Sequence, residues 1–216
     1  MPRTAVLFSG GLDSAVLLAR ELEGHESQRG TQPIHVRSGL AWEDAEARTI
    51  QRLLEKPPFA GRVAPIITLT VDMREVYPQT HWAVTGTPPA YDTPDEDVYL
   101  EGRNIVLISK AAVLCARLKI ERLALGPLEG NPFPDATPEF FSAISRAMSL
   151  GLGQPLDVVA PLALMQKEDV IRLGRLLGVP LELTLSCMNP QAGDTPCGRC
   201  SKCRERDQAF SNLSDE

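Results

Sequence analysis

The stretch Thr4-Ala-Val-Leu-Phe-Ser-Gly-Gly-Leu-Asp-Ser-Ala-Val-Leu-Leu18 leaves one apolar run, crosses two glycines and enters another. The first run, residues 4–8, is short and apolar, as a strand covered on both faces is. The second, from about residue 12 to 23, has the length of a helix, with Asp13 and Ser14 in its first turn. A junction this tight draws on glycine's backbone freedom at Gly10 and Gly11. It also aims several backbone N–H groups at one small space beside a helix N-terminus, where the dipole favours an anion.

That anion reads as a phosphate. A Walker loop needs Gly-Lys-Ser/Thr, and no lysine lies near residues 9–14. A dinucleotide fingerprint needs Gly-x-Gly-x-x-Gly, and the spacing is wrong for it. What remains is Ser-Gly-Gly-x-Asp-Ser. Ser9 and Ser14 add hydroxyl donors, and Asp13 can hold a magnesium ion on the same phosphates. A plain strand–helix turn with Asp and Ser as caps is the structural alternative.

Outward from this loop, apolar strands alternate with helical segments. Strands are expected at residues 33–36, 65–71, 122–126 and 157–161, and helices at 42–54, from about 103 to 118, from Thr137 as N-cap, and at 167–178. The polar residues 24–32 read as a loop, residues 57–65 as a turn-rich link, and the polar tail after Ala209 as frayed. The alternation predicts an α/β domain: a parallel sheet of about five strands with helices on both faces. Residues 77–101, rich in Pro, Thr and Asp, show no period, and a loop of that length is a lid, a substrate loop or a plain insertion. Cys115 falls on the apolar face of its helix and is expected to be buried.

The 216 residues carry a formal net charge of −6, which argues against broad binding to nucleic acid. No apolar run reaches the roughly 18 residues of a membrane span, and residues 1–11 lack a signal-peptide core, so a cytoplasmic location without membrane partners is expected. Four of the five cysteines, Cys187, Cys197, Cys200 and Cys203, fall in the last 30 residues. Clustered cysteines in a reducing compartment are metal ligands before they are disulfides. Two overlapping Cys-x2-Cys pairs with Gly198 at the turn form one knuckle, and Cys187 completes four sulfurs. Four thiolates suit a closed, structural Zn2+ site; an iron–sulfur cluster is the chemical alternative. Arg199, Lys202, Arg204 and Arg206 offset the thiolate charge.

The motif Ser-Gly-Gly-x-Asp-Ser resembles the pyrophosphate loop (PP-loop) of the ATP-pyrophosphatases. Together with the cysteine segment, the chain resembles the 7-cyano-7-deazaguanine synthase (QueC) family. The anchors are "FSGGLDS" (8–14), "EGRNIVLISKAA" (101–112), "FPDATPEFF" (133–141) and "SCMNPQAGDTPCGRCSKCRERDQAF" (186–210). The resemblance implies an adenine-nucleotide-hydrolase fold over residues 1–185 with a zinc segment, 186–210, packed on it. It implies an ATP-dependent ligase that adenylates 7-carboxy-7-deazaguanine, adds ammonia and ends at a nitrile in queuosine biosynthesis. A homodimer is implied too. Phe8, Ser9, Gly10, Gly11, Leu12, Asp13 and Ser14 then bind ATP with Mg2+, joined by Arg103 and Asn104 at the start of a helix. Asp13, Ser14, Arg103 and Lys167 are the implied catalytic set. Phe133 and Asp135 match a loop near the bound base. The family's Tyr-Gly-Gln-Arg-His is replaced by "RSGLAWEDAE" (37–46), where Trp42 and Glu43 either take over substrate contacts or begin a helix. The loop "GPLEGNPFPD" (126–135) is about two residues shorter than the family's. Another PP-loop enzyme, acting on a different carboxylate, a protein or a tRNA sulfur site, and a non-catalytic nucleotide sensor are the competing readings.

Overall fold

The computed structural model describes residues 4–23 and 30–213. Five parallel strands form one sheet in the order β3-β2-β1-β4-β5: β1 Thr4–Leu7, β2 Thr31–Arg37, β3 Ile67–Thr70, β4 Arg122–Ala124 and β5 Asp157–Val159. Helices α1 (Leu12–Glu23) and α2 (Glu43–Leu54) follow β1 and β2. After β3 come the short α3 (Trp82–Thr85) and then α4 (Arg103–Leu118), which crosses back to place β4 beside β1. Next are α5 (Pro138–Leu152), α6 (Lys167–Leu176) and α7 (Ser201–Asn212). The strand order therefore reverses at β1, and ligands of open parallel sheets bind outside the carboxyl ends of the strands at such a point.

The alternation of β1 shows why the sheet is covered on both faces. Val6 packs into a cluster with Leu17, Ile50, Leu53, Phe59 and Ile171, while Ala5 packs on the opposite face with Ile34, Ile108, Cys115, Phe141 and Ile144. Fully burying one Leu, Ile or Phe side chain gains about 1.5–3 kcal/mol, so these two layers outweigh any local preference. Cys115 is a core residue as expected, its thiol pushed up to about 12, chiefly by burial. A third cluster lies past the strand ends. It packs Leu40, Trp42, Tyr77 and Val98 against Leu185 and Cys200.

Three boundaries differ from the sequence reading. Strand β2 begins at Thr31, inside the stretch read as polar loop. Thr31 is buried and its hydroxyl donates to the Glu21 carbonyl at 3.3 Å, while the Gln32 amide donates to the carbonyls of Pro33 (2.9 Å) and Pro65 (2.8 Å). Internal partners let polar residues enter the sheet; residues 24–29 of that loop lie outside the described residues. The segment 77–101 holds α3 and two buried anchors, Val98 and Leu100, and Tyr77 at its start donates to the Glu101 carbonyl at 3.0 Å. The chain beyond Ala209 stays helical to Asn212, with α7 packed on α6. No helix of the described residues is long and apolar enough to cross a membrane.

Helix α6 reaches α1 closely because residue 174 has no side chain. A Cβ on Gly174 would stand 2.8 Å from Val16 Cγ2 and 2.9 Å from Leu181 Cδ2. Overpacking of this kind costs about 1–3 kcal/mol. Gly174→Ala is therefore expected to lower stability by that amount in urea unfolding, despite alanine's better helix propensity. A rise in stability would contradict the close approach.

Candidate active site

The loop after β1 folds back on itself. The Ser14 hydroxyl donates to the Gly11 carbonyl at 3.0 Å and receives the Ser9 amide at 3.3 Å; the Ser9 hydroxyl receives the Gly11 amide at 3.3 Å. Gly10 has φ +76°, and a Cβ there would press Thr49 and Ile50 of α2 at 3.2 Å. Its carbonyl accepts the Leu185 amide at 3.0 Å, which ties the loop to the segment leading into the cysteines. The first amides of α1 have no intrahelical partners, as at any helix start, and Asp13 and Ser14 of that first turn line a crevice.

That crevice is a cavity of about 340 Å³. Phe8, Ser9, Gly11, Asp13 and Ser14 line it; Gly10 and Leu12 do not and act through the backbone and the core. Arg103, Asn104, Phe133 and Asp135 line it as well. The anion met by the start of α4 is, however, the chain's own. The Asp135 carboxylate accepts the Asn104 amide at 3.0 Å, and Asn104 Nδ2 donates to the Asp135 carbonyl at 3.1 Å. Asp135 is thus a buried helix cap, its carboxyl held above the ordinary value by burial, with the Asn104 hydrogen bonds opposing. Arg103 keeps a buried Nε without a hydrogen-bond partner, an orphan donor at the cavity wall. Phe133 stacks on Tyr99 with centroids 5.2 Å apart.

The segment 37–46 divides its work. Glu43 is buried and outside the cavity; its carboxylate accepts the amides of Ser38 and Gly39 (2.9 Å for Gly39). It closes the turn between β2 and α2, in keeping with the helix-start alternative. Trp42 does line the cavity, stacked on Trp82 at 5.7 Å with 13° between planes. Sequence reading missed Glu46 and His35, both buried and both in the cavity wall. Nothing in their spacing marked them, since Glu46 sits in an ordinary helical charge pattern. His35 Nδ1 lies 3.2 Å from the Phe8 carbonyl. A carbonyl only accepts, so Nδ1 carries the proton and Nε2 of the neutral ring is a buried acceptor without a partner. Burial holds the ring's pKa below the usual value and keeps it neutral. The Glu46 carboxyl is pushed up to about 7 by burial, against the opposing charge of Arg103.

The four cysteines meet with all sulfurs within 4.8 Å of one another. Gly198 takes φ +68° at the knuckle. The amides of Asn189 and Cys197 donate to Cys187 Sγ at 3.3 Å, and Cys200 and Cys203 Sγ are 3.5 Å apart. The hydrogen bond between Cys187 and Cys200 lowers the Cys200 thiol and raises that of Cys187. The donor set is all sulfur and fits a soft or borderline cation. Of the nearby basic residues, Arg204 donates to the Tyr91 carbonyl at 2.7 Å and Arg206 to the Leu181 carbonyl at 2.7 Å, so both pin chain segments. Lys167 stands outside the cavity lining. Its ammonium donates to Asp13 Oδ1 (2.8 Å) and Oδ2 (2.7 Å), and pairs with Glu205 at 2.7 Å. Burial lowers its pKa, but the two carboxylates outweigh burial and raise it overall.

Glu46 supplies a test of the cavity's electrostatics. A carboxyl raised to about 7 from 4.5 binds its proton more tightly folded than unfolded. That contribution is complete below pH 4.5 and is lost as pH rises through 7, on the order of 3 kcal/mol. Glu46→Gln, which cannot ionise, is therefore expected to gain stability over the wild type between pH 5 and pH 8. Thermal unfolding at both pH values checks it; a stability gap independent of pH would contradict the buried, raised carboxyl.

Comparisons with known proteins converge on one family. The sequence matches the family model described as "Queuosine biosynthesis protein QueC" over residues 3–214. The 7-cyano-7-deazaguanine synthase of Methanopyrus kandleri is 32% identical, covering 100% of this chain and 97% of its own. That of Methanothrix thermoacetophila is 34% identical over 97% and 94%, and that of Nostoc punctiforme 29% over 98% and 96%. Among solved structures, the U34-tRNA thiolase NcsA from Methanococcus maripaludis, which carries a [4Fe-4S] cluster, aligns with a TM-score of 0.50 at 14% identity. It covers 100% of this chain and 66% of its own, a likeness of fold. With the family match spanning the loop, the cavity and the cysteine knuckle alike, the chain belongs to the QueC family of queuosine biosynthesis proteins.

Proposed function

We propose that this chain is a 7-cyano-7-deazaguanine synthase that uses ATP and ammonia to turn 7-carboxy-7-deazaguanine into the nitrile. The observation that carries the reading is the coincidence of the family match over residues 3–214 with a cavity floored by the Ser9–Ser14 loop. The relatives named for this activity cover nearly their whole length. A carboxylate is a poor electrophile. Transfer of AMP to one of its oxygens, with departure of pyrophosphate, makes a leaving group. Ammonia displaces AMP to give the amide. A second AMP transfer to the amide oxygen, again releasing pyrophosphate, allows AMP to leave with that oxygen and the nitrile to form.

The chain's share is positioning and charge. The loop amides and the Ser9 and Ser14 hydroxyls would hold phosphate oxygens. Asp13 would hold Mg2+, which when bound neutralises phosphate charge. Arg103, with its orphan Nε, would face the developing charge at the acyl phosphate. The cavity wall offers the flat Trp42–Trp82 pair and the Glu46 and His35 acceptors to a ring bearing N–H donors. The knuckle, residues 186–210, packs against the PP-loop domain, residues 1–185, and four sulfurs fit a structural Zn2+. Tetrahedral zinc with bonds of about 2.3 Å spaces its sulfurs about 3.8 Å apart. The distances of 3.5 Å and 3.9 Å from Cys203 to Cys200 and Cys197 support zinc over a wider iron–sulfur cluster. The family resemblance favours a homodimer.

Mass spectrometry of a reaction holding 7-carboxy-7-deazaguanine, ammonium, magnesium and ATP is expected to show the nitrile with AMP. An amide as the end product, or no turnover by protein that binds ATP, would move the assignment to another acceptor, with residues 37–46 as the divergent wall. Asp13→Asn keeps the shape of the side chain and is expected to lower AMP release on the order of 100-fold or more. Elemental analysis is expected to find one zinc per chain and no visible iron–sulfur absorption; iron with a broad visible band would contradict the structural zinc.

A further inference from the structure

The lysine singled out by sequence, Lys167, has no N–H left for a ligand. An ammonium has three donors, and all three are taken: two by the Asp13 oxygens and one by Glu205. Yet a triphosphate needs cations, and the cavity wall carries three carboxylates, Asp13, Glu46 and Asp135. Among the described residues lining the cavity, Arg103 and Lys202 are the lysine and arginine side chains. Arg103 stands at the start of α4 with its buried Nε unpartnered. Lys202 is the one linked to the loop, through Glu205 and Lys167 to Asp13.

Lys202 comes from the cysteine knuckle, between Cys200 and Cys203. Its Nζ donates to Glu205 Oε2 at 2.7 Å, and Glu205 Oε1 is 2.7 Å from Lys167. The charges therefore alternate in a chain from Asp13 through Lys167 and Glu205 to Lys202. One carboxylate holds two ammoniums. The first is spent on the loop aspartate; the second belongs to a residue of the cavity lining and has two donors remaining. A surface pair three residues apart on a helix commonly points at solvent and contributes little. This pair differs because its carboxylate is shared with a buried lysine and its own lysine is a residue of the cavity lining.

We propose that Lys202 is a phosphate-binding residue for the pyrophosphate end of the nucleotide, delivered by the metal knuckle and held in place by Glu205. The proposal rests on the reading of the cavity as an ATP site. It gives the knuckle a part in the chemistry: a fixed Cys200 and Cys203 fix the turn of α7 that carries the lysine. Glu205 acts through the two lysines and is a positioning residue.

Calorimetric titration of MgATP, pyrophosphate and AMP into the wild-type protein, Lys202→Met and Lys202→Arg tests it, with metal content measured for each. Lys202→Met is expected to weaken ATP and pyrophosphate about ten-fold, the size of one charge-assisted hydrogen bond, and to leave AMP unchanged. Lys202→Arg is expected to restore most of the loss. Equal pyrophosphate affinity in wild type and Lys202→Met, both retaining metal, would overturn the proposal while leaving the ATP site standing. Parallel loss of AMP and ATP affinity would also overturn it, as a disturbance of the whole pocket. If Lys202→Met loses its metal, Lys202→Gln takes its place under the same criteria. A wild-type protein that binds neither ATP nor pyrophosphate would remove the underlying reading as well.

Discussion

The Lys167 ammonium joins three parts of the chain at one point: the loop after β1 through Asp13, the start of α6 on which it stands, and α7 through Glu205. The lysine side chain is 15% exposed. A charge this withdrawn is stable only because two carboxylates surround it, and removing one partner of such a pair costs about 3–5 kcal/mol. The loop geometry, the docking of the last helix and the placing of the knuckle therefore depend on one another. The loop itself is held by its own hydroxyls, and the Leu185 amide on Gly10 ties it to the segment leading into the cysteines.

Around that point the sheet does what a parallel sheet with reversed order does: it opens a crevice at the carboxyl ends of its central strands. Gly126, just past β4, approaches the Asp13 backbone closely enough that a Cβ would stand 3.6 Å from its carbonyl carbon. The third apolar cluster closes the far side by packing residues 77–101 against the cysteine segment. The cavity and the cysteine cluster share a wall, because Ser186, Cys187 and Met188 line the cavity along with the loop.

Much of this was legible in the sequence, and the exceptions have physical causes. The strand–glycine–helix junction and the cysteine spacing are local patterns, and both lie where the spacing put them. The alternation of apolar runs was enough for a five-stranded parallel sheet. Thr31 and Gln32 escaped because their polar atoms find partners inside the fold, which composition does not reveal. Asn104 and Asp135 both line the cavity, and the structure adds a pairing across 31 residues that the sequence does not reveal. Glu43 holds the turn before α2, since a carboxylate at the start of a helix serves a turn as readily as a substrate. Glu46 and His35 had no marker at all, and Lys202 was marked only as a charge beside the cysteines. Their significance comes from burial and from the cavity they face, and neither exists before the chain folds.

The central claim is that AMP is transferred to oxygens of the acceptor's carboxylate in this cavity. Oxygen-18 in both positions of the 7-carboxy-7-deazaguanine carboxylate tests it most directly, with the label followed by mass spectrometry of the nucleotide products. The account predicts one labelled oxygen in each AMP released, two AMP for each nitrile, and none in pyrophosphate. Unlabelled AMP, or label in inorganic phosphate alongside ADP, would contradict it.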